Sequence, residues 1–454
     1  MIRKLPAVLS EVGDIFKEAG FQVFLVGGAV RNKLMGLIMS DFDLTTNAKP
    51  YEVQKLFRRV IPTGIQHGTV TVLYKKYEFE ITTFRTESEY SNQRHPDKIE
   101  FSPDILEDLK RRDFTINSIA LNLVTNEMID PHNGKMDIKR KLIRSIGNPV
   151  DRFNEDGLRL MRAVRFMAQL QFDIEKNTLK GISTCSDNLK NVSSERIRDE
   201  LIKILHSNHP SRALFLMEKT GLLNIFLPEL LSCKGVMQKA NHSFDVFEHS
   251  IYSCDGAPSD NLVLRLAALL HDIGKPISLK YDDDKMPTFH RHEFYSAKIA
   301  HKILKRLKFP IKIENDVCHL IENHMFNYQE DWTDSAVRRF LAKTGPENVD
   351  DVFSLRRADQ FGMAGKPVDS QNLIDFGDHI KKVLSQEHIL KIRDLDINGN
   401  DLFLMGGIPK GPQMGIILNF LLETVFDDPS LNTRDQLLKI AVSFYKTRLI
   451  DKDS

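Results

Sequence analysis

"LVGGAVRNKLMGLIMSDFDLTTNA", residues 25–48, decides how the first part of this chain folds. An apolar strand runs into Gly27 and Gly28, Arg31 follows, and the chain returns to Asp41-Phe42-Asp43. Residues two apart on a strand project to the same side, so Asp41 and Asp43 point together while Phe42 packs behind them. Two carboxylates that close repel, and unless a cation lies between them one is driven to take up a proton. Hard oxygen ligands of this kind suit Mg²⁺, which keeps waters and phosphates as its other ligands. Alone, an Asp-x-Asp pair reads as a solvated loop. Here the two glycines let backbone N–H groups approach an anion and Arg31, just inside the following helix, adds a fixed positive fork, so a triphosphate can be held beside the metal pair.

Working outward, residues 5–20 read as an amphipathic helix ending at Gly20, and "FQVFLV", "TVTVLY" and "EFEITTF" read as strands, with "YEVQKLFRRV" helical between the first two. That pattern predicts a small mixed sheet with helices, an α+β unit. Its third strand puts Glu78 and Glu80 on one face. Glu80 is the candidate third carboxylate, with a solvent-facing strand glutamate the equal alternative. From about residue 155 the pattern is helical almost to the end, broken at segments such as "DDDKMP" and "GGIPKGP". The expected fold class is therefore α+β at the N-terminus followed by mostly α-helical domains.

Composition excludes several classes. No run of roughly eighteen apolar residues exists to span a bilayer, and "MIRKLPAVLSEVGDIF" lacks the apolar core of a signal peptide, so a cytoplasmic protein is expected. The four cysteines, Cys185, Cys233, Cys254 and Cys318, form no CxxC pair, which argues against a disulfide framework and a thiolate zinc site. With 63 Lys+Arg against 62 Asp+Glu, net charge neither demands nor excludes a polyanionic partner.

"GGAVR", "DFDLTTNA", "TGIQHGTVTV", "RRDFTINSIALN" and "EDGLRLMRAVRF", in that order over roughly residues 20–205, resemble the class II tRNA nucleotidyltransferases, the CCA-adding enzymes, which share a superfamily with bacterial poly(A) polymerases. The resemblance implies a nucleotidyltransferase head over 1–145, a helical neck that binds RNA and the nucleotide base over 146–235, an HD metal-binding domain over 236–365 and a helical tail over 366–454. It also implies CTP and ATP as substrates, the 3′ end of a tRNA as partner, no membrane, and two Mg²⁺ ions held by Asp41 and Asp43. Arg112, Asp113 and Asn117 would line the nucleotide site, Arg112 on the triphosphate and Asp113 toward the ribose hydroxyls, which distinguish ribonucleotides. By itself Asp113 fits a helix cap equally well.

"EDGLRLMRAVRF" reads as one helix on which Asp156, Arg159, Arg162 and Arg165 recur every three residues, ordinarily a salt-bridged solvent face. The resemblance implies more: Asp156 and Arg159 on the base edges of CTP and then ATP, Arg162 and Arg165 on phosphate. "RTESEYSNQRHPDKIEF", residues 85–101, is long and polar and resembles the family's flexible loop, although Asn92 and Gln93 stand where Asp and Gly are expected. Asn32 likewise follows Arg31 where Asp is usual. "SSERIRDELIKIL" reads as an amphipathic helix capped by Ser194, a structural brace.

A second constellation lies downstream. His249, His271, Asp272, His292, His324 and Asp359 come from "FEHS", "LLHDIGKP", "FHRHEFYS", "IENHM" and "RRADQFG". Imidazole and carboxylate together suit a divalent transition metal or Mg²⁺. The set resembles an HD-type phosphohydrolase centre, with His249, His271, Asp272 and Asp359 around one ion and His292 and His324 serving a second; Arg291 replaces the usual Gly before His292. Two rival readings remain on sequence: an A-adding enzyme or poly(A) polymerase with the same chemistry, and an HD phosphohydrolase whose N-terminal domain only binds RNA or nucleotide.

Overall fold

The structure, a computed structural model, describes residues 5–39, 41–88, 98–238, 243–368, 371–386 and 389–450. Most of the polar loop expected between residues 85 and 101, including Asn92 and Gln93, lies outside them. The chain divides into two compact units, one of residues 1–231 and 303–309, the other of 232–302 and 310–454.

The first unit is built on a seven-stranded sheet. Helix α1 (Ala7–Glu18) leads through Gly20, at φ +81°, into β1 (Val23–Val26). Helix α2 (Gly27–Met35) follows directly and ends on Gly36 in the left-handed conformation. Next come β2 (Phe42–Thr46), α3 (Pro50–Leu56), β3 (Val60–Gly64), β4 (Thr69–Tyr74) and β5 (Tyr77–Thr83). Strands β6 (Arg85–Ser88) and β7 (Lys98–Phe101) pair with each other as a separate ribbon, so the ends of the expected loop are a hairpin. Strands β8 (Ala120–Asn122) and β9 (Met128–Ile129) complete the order β3-β4-β5-β2-β1-β8-β9.

The β2–β5 pair is parallel and every other pair in this sheet antiparallel, making it mixed as expected. Its apolar face carries Leu25, Leu44, Val70, Phe79 and Ile81 against Val12 and Phe16 of α1, all buried. The parallel register sets Phe42 beside Phe79 and therefore Asp43 beside Glu80 on the opposite face.

Three readings change. The helix expected over 51–60 ends at Leu56, because Phe57 turns extended and buries its ring against Phe16, and Val60 already belongs to β3. "EDGLRLMRAVRF" is not one helix: Glu155 closes α6 (Pro149–Glu155), and α7 (Leu158–Leu170) starts only at Leu158, after α4 (Ile105–Lys110) and α5 (Gly134–Arg140). Asp156 sits at the break in an extended conformation (φ −145°, ψ 108°), its Oδ1 accepting from the Leu158 N–H. In helix α8 (Ser194–Leu205) the N-cap is Ser193, without a side-chain cap bond.

Among the described residues the regular structure of the second unit is helical apart from a two-stranded hairpin, Leu279–Tyr281 with Pro287–Phe289, at the "DDDKMP" break. No helix among the described residues is long and apolar enough to cross a membrane.

Helix α5 and the turn Thr115–Asn117 are locked by one buried carboxylate. Asp137 accepts from the Thr115 hydroxyl at 2.6 Å and from Arg144 at 2.7 and 2.9 Å. Deleting it strands the partners of a buried acid, although Arg144 keeps partial solvent access. Asp137→Ala should cost about 2 kcal/mol and lower the first thermal unfolding transition by calorimetry; an unchanged transition would show that this contact contributes nothing to the fold.

Candidate functional site

A cavity of about 450 Å³ in the first unit is lined by Gly27, Gly28, Arg31, Asp41, Asp43, Arg112, Asp113, Asn117, Asp156, Arg159, Arg162 and Arg165. All the nucleotide-site candidates from the sequence except Glu80 therefore face one space. Glu80 stands beside Asp43 on β5 but is not in the lining. The cavity also takes Arg111, Leu158, Phe166 and Arg196, which sequence reading missed. Arg196 lies on the helix read as a brace, and its ion pair with Asp156, forty residues away, left no local signal in the sequence.

The β1–α2 junction explains the two glycines. Gly27 has φ +65°, and a Cβ there would meet Arg112 Nη1 at 3.4 Å and Asp43 Oδ2 at 3.5 Å. A side chain at Gly28 would meet Arg31 Nη2 at 3.5 Å. Both positions open the backbone to the space between the acid pair and the arginines.

Seven of the lining residues are arginines and four are aspartates. The guanidinium groups are held by acids mostly buried behind them. Asp108 accepts from Arg111 at 2.8 Å and Arg112 at 3.1 Å; Glu155 holds Arg159 at 2.5 Å; Glu200 holds Arg165 at 2.5 Å. Arg162 clasps Asp113 with Nε at 2.7 Å and Nη2 at 2.5 Å, and Arg196 reaches Asp156 at 2.8 Å. Arg31 is different, because its partners are amides: Asn117 Oδ1 at 2.8 Å and Asn32 Oδ1 at 3.0 Å. The Asn at 32 still orients it.

These surroundings shift the titrations. Burial pushes the Asp43 carboxyl up, opposed by Arg112 and reinforced by Asp41. Burial also raises Glu80, with Asp43 adding to it. Burial would raise Asp113 too, but Arg162, Asn117 and the Phe114 N–H outweigh it and hold it at about 2. Burial, reinforced by Arg165, brings Arg31 down to about 10. Hard oxygens gathered beside a cationic wall can accept a divalent cation and a polyphosphate at once.

The second unit gathers the other six residues. His249 is on helix α9 (Val246–Gly256), His271 and Asp272 follow α10 (Leu262–Leu270), and His292 opens α11 (His292–Arg306). His324 ends α12 (Ile311–Asn323) and Asp359 is on α13 (Val349–Ala364). The Nε2 atoms of His249 and His271 lie 3.3 Å from Asp272 Oδ2, and that of His292 lies 3.2 Å from Oδ1. His324 is 4.0 Å from Oδ1, and Asp359 Oδ1 is 3.1 Å from His249. Asp272 thus divides two clusters, His249 and His271 on one oxygen, His292 and His324 on the other.

The rings face inward for a local reason. Nδ1 of His271, His292 and His324 sits against the carbonyls of Ala268, Phe289 and Ile321 at 2.9, 2.8 and 2.7 Å, which sets the tautomer that leaves an Nε2 lone pair for a ligand. Despite burial, His271 and Lys275 keep Asp272 well below the usual carboxylate range. Arg291, where Gly is usual, adopts φ +60°, the left-handed conformation glycine favours, with its guanidinium 4.9 Å from the Phe294 ring centroid.

Comparison with known proteins covers most of the chain. Residues 23–144 match the poly A polymerase head domain, 171–234 the probable RNA and SrmB-binding site of polymerase A, and 240–364 the HD domain. The CCA-adding enzyme of Lactobacillus johnsonii is 35% identical over 94% of this chain and 95% of its own length. The crystal structure of the Bacillus stearothermophilus CCA-adding enzyme in complex with CTP is similar at 26% identity, with a TM-score of 0.73 over 99% of this chain and 100% of that one. The Thermotoga maritima CCA-adding enzyme complexed with tRNA_CCA shares the fold at 19% identity and a TM-score of 0.59, over 97% of each chain.

The Arg162–Asp113 clasp has a defined pH signature. A carboxyl held at about 2 in the folded chain, against ~3.9 unfolded, contributes stability present above the unfolded value and lost as pH falls toward 2. Arg162→Ala should therefore lower the melting temperature most near neutral pH, with the gap to wild type narrowing between about pH 4 and 2. A gap independent of pH over that window would contradict the ion-pair assignment.

Proposed function

This chain belongs to the CCA-adding enzyme family of nucleotidyltransferases, and from that premise we propose that it adds C, C and A to the 3′ end of tRNA, taking CTP and then ATP into the cavity of the first unit. The observation that supports this best is the convergence of Asp41, Asp43 and seven arginines on one space behind two glycines. That space presents a divalent-metal pair and a polyphosphate wall together.

Asp41 and Asp43 would hold Mg²⁺, with Glu80 as third carboxylate beside Asp43. Bound there, the metal would supply charge neutralisation at the reacting phosphate and a lowered pKa for the attacking hydroxyl. The chain's own residues do the rest. Arg31, Arg112, Arg162 and Arg165 bind and orient the triphosphate, and Asp113, kept ionised by Arg162, accepts from the ribose hydroxyls. Asp156 and Arg159 read the base edge: a carboxylate accepts from an exocyclic amine and a guanidinium donates to a ring nitrogen or carbonyl. Each such contact is worth about 1–3 kcal/mol of discrimination, more where a wrong base leaves buried groups unpaired. Catalysis in this scheme is positioning and charge neutralisation, with no covalent enzyme intermediate.

In the second unit we assign the four histidines with Asp272 and Asp359 to divalent transition metal binding, Asp272 shared between two ions, and a phosphoester as the substrate class. The inward Nε2 atoms support it. The segments 1–145, 146–235, 236–365 and 366–454 are our proposed functional divisions.

With a tRNA lacking its last three nucleotides, CTP and ATP, the protein should restore CCA; ATP incorporation alone would favour an A-adding enzyme. Asp41→Ala or Asp43→Ala should cut incorporation on the order of a thousandfold, and His271→Ala should leave it intact. The opposite pattern would overturn the assignment. For the second site, elemental analysis after equilibration with Mn²⁺ or Ni²⁺, in an Asp41→Ala/Asp43→Ala background that removes the first site, should show Asp272→Ala losing the metal held by the histidine cluster and His324→Ala keeping the share held with His249 and His271. Equal metal content in that background with and without Asp272→Ala would remove that site.

A further inference from the structure

Phe166 lies on α7 at the back of the cavity, buried, and three guanidinium carbons surround its ring: Arg165 at 4.1 Å from the centroid, Arg31 at 5.2 Å and Arg162 at 5.4 Å. Arg162 and Arg165 share its helix, whereas Arg31 comes from α2. Like charges at this spacing repel, and among the described residues only two of the three form an ion pair with a carboxylate, Arg162 with Asp113 and Arg165 with Glu200. Arg31 is oriented by the amide oxygens of Asn117 and Asn32, which carry no compensating charge. Asp113 favours its charge only through space, whereas the aromatic face touches the guanidinium directly: its quadrupole attracts cations, most strongly where water is excluded. The ring is itself fixed, because Phe114, fully buried, meets it edge-on at 5.8 Å and 83°.

We propose that Phe166 is a positioning residue for the triphosphate, its ring gathering Arg31, Arg162 and Arg165 from two helices into one phosphate-binding wall before the anion arrives. The inference rests on the reading of this cavity as the nucleoside triphosphate site and adds to it a part not assigned by the sequence motifs. Phe166 makes no base contact in this scheme. Its contribution is therefore the same for CTP, ATP and the pyrophosphate product, and it acts on binding more than on turnover. In an apolar core role the side chain's volume would matter and its electron density would not.

The test replaces Phe166 in the full-length enzyme with leucine and, separately, with mono-, di- and trifluorinated phenylalanines, which keep the shape while draining the ring face of negative potential. Phe166→Leu should raise KM for CTP and for ATP and Ki for pyrophosphate, each by about tenfold, while kcat changes by less than about twofold. The fluorinated series should weaken all three in proportion to fluorine count, at an unchanged melting temperature. Fluorination without effect, or a change confined to CTP or to ATP, would overturn the proposal. If Phe166→Leu fails to fold, the fluorinated series decides alone. Failure of the underlying reading looks different: wild-type protein itself would then incorporate no nucleotide.

Discussion

Mutual repulsion among arginines is the constraint on which the first unit depends. Seven guanidinium groups face one cavity, and nothing in an apolar core would hold them there. The fold answers with an acid for nearly every one: Asp108, Glu155 and Glu200 stand behind the wall, and Asp113 and Asp156 stand within it. Several of these acids are nearly devoid of solvent, so their charges act through a medium that screens weakly. The balance is incomplete by construction. Burial and its cationic neighbours bring Arg31 down to about 10, and the Asp43 carboxyl is pushed up, so a bound polyphosphate and a divalent cation would each relieve a charge imbalance the protein itself maintains.

The same logic accounts for the local structure. Parallel pairing of β2 with β5 places Asp43 beside Glu80, and the tight β1–α2 junction at Gly27 leaves room for Arg112 and Asp43 to approach each other. The break between α6 and α7 lets Asp156 leave the helical path and meet Arg196 from α8, while Arg159, a few residues on, turns back to Glu155. A single continuous helix would have carried both along one face.

What could be read from the sequence was what depends on short spacing. The Asp41/Asp43 pair, the glycines before Arg31 and the alternation in "TVTVLY" are local signals; the strand holding Asp43 begins only at Phe42, so Asp41 precedes it, yet both acids line the cavity. Family resemblance pointed to five of the seven arginines, but Arg111, Arg196 and the acid partners were not legible: Asp108 and Glu200 look like ordinary helix-surface acids until tertiary packing buries them. Phe166 was hidden for the same reason, since a phenylalanine in an apolar period reads as core whatever lies over its ring. The break at Asp156 was missed because the Glu-Asp-Gly run fits a helix interior by charge pattern, while Gly157 packs so closely on the backbone of Asn188 that a Cβ there would lie 2.5 Å from its carbonyl oxygen. The six clustered histidines and aspartates were legible because His271-Asp272 is adjacent in the chain, yet the place of Asp272 in both clusters is a product of the helix arrangement alone.

The most direct test of the central claim is where a nucleotide and a metal come to rest. A crystal structure of this protein with CTP and Mn²⁺, read by anomalous scattering, should show manganese bound by Asp41 and Asp43 and the triphosphate against Arg31, Arg112 and Arg162. Manganese confined to the histidine cluster, with CTP lodged away from the two glycines, would contradict the account.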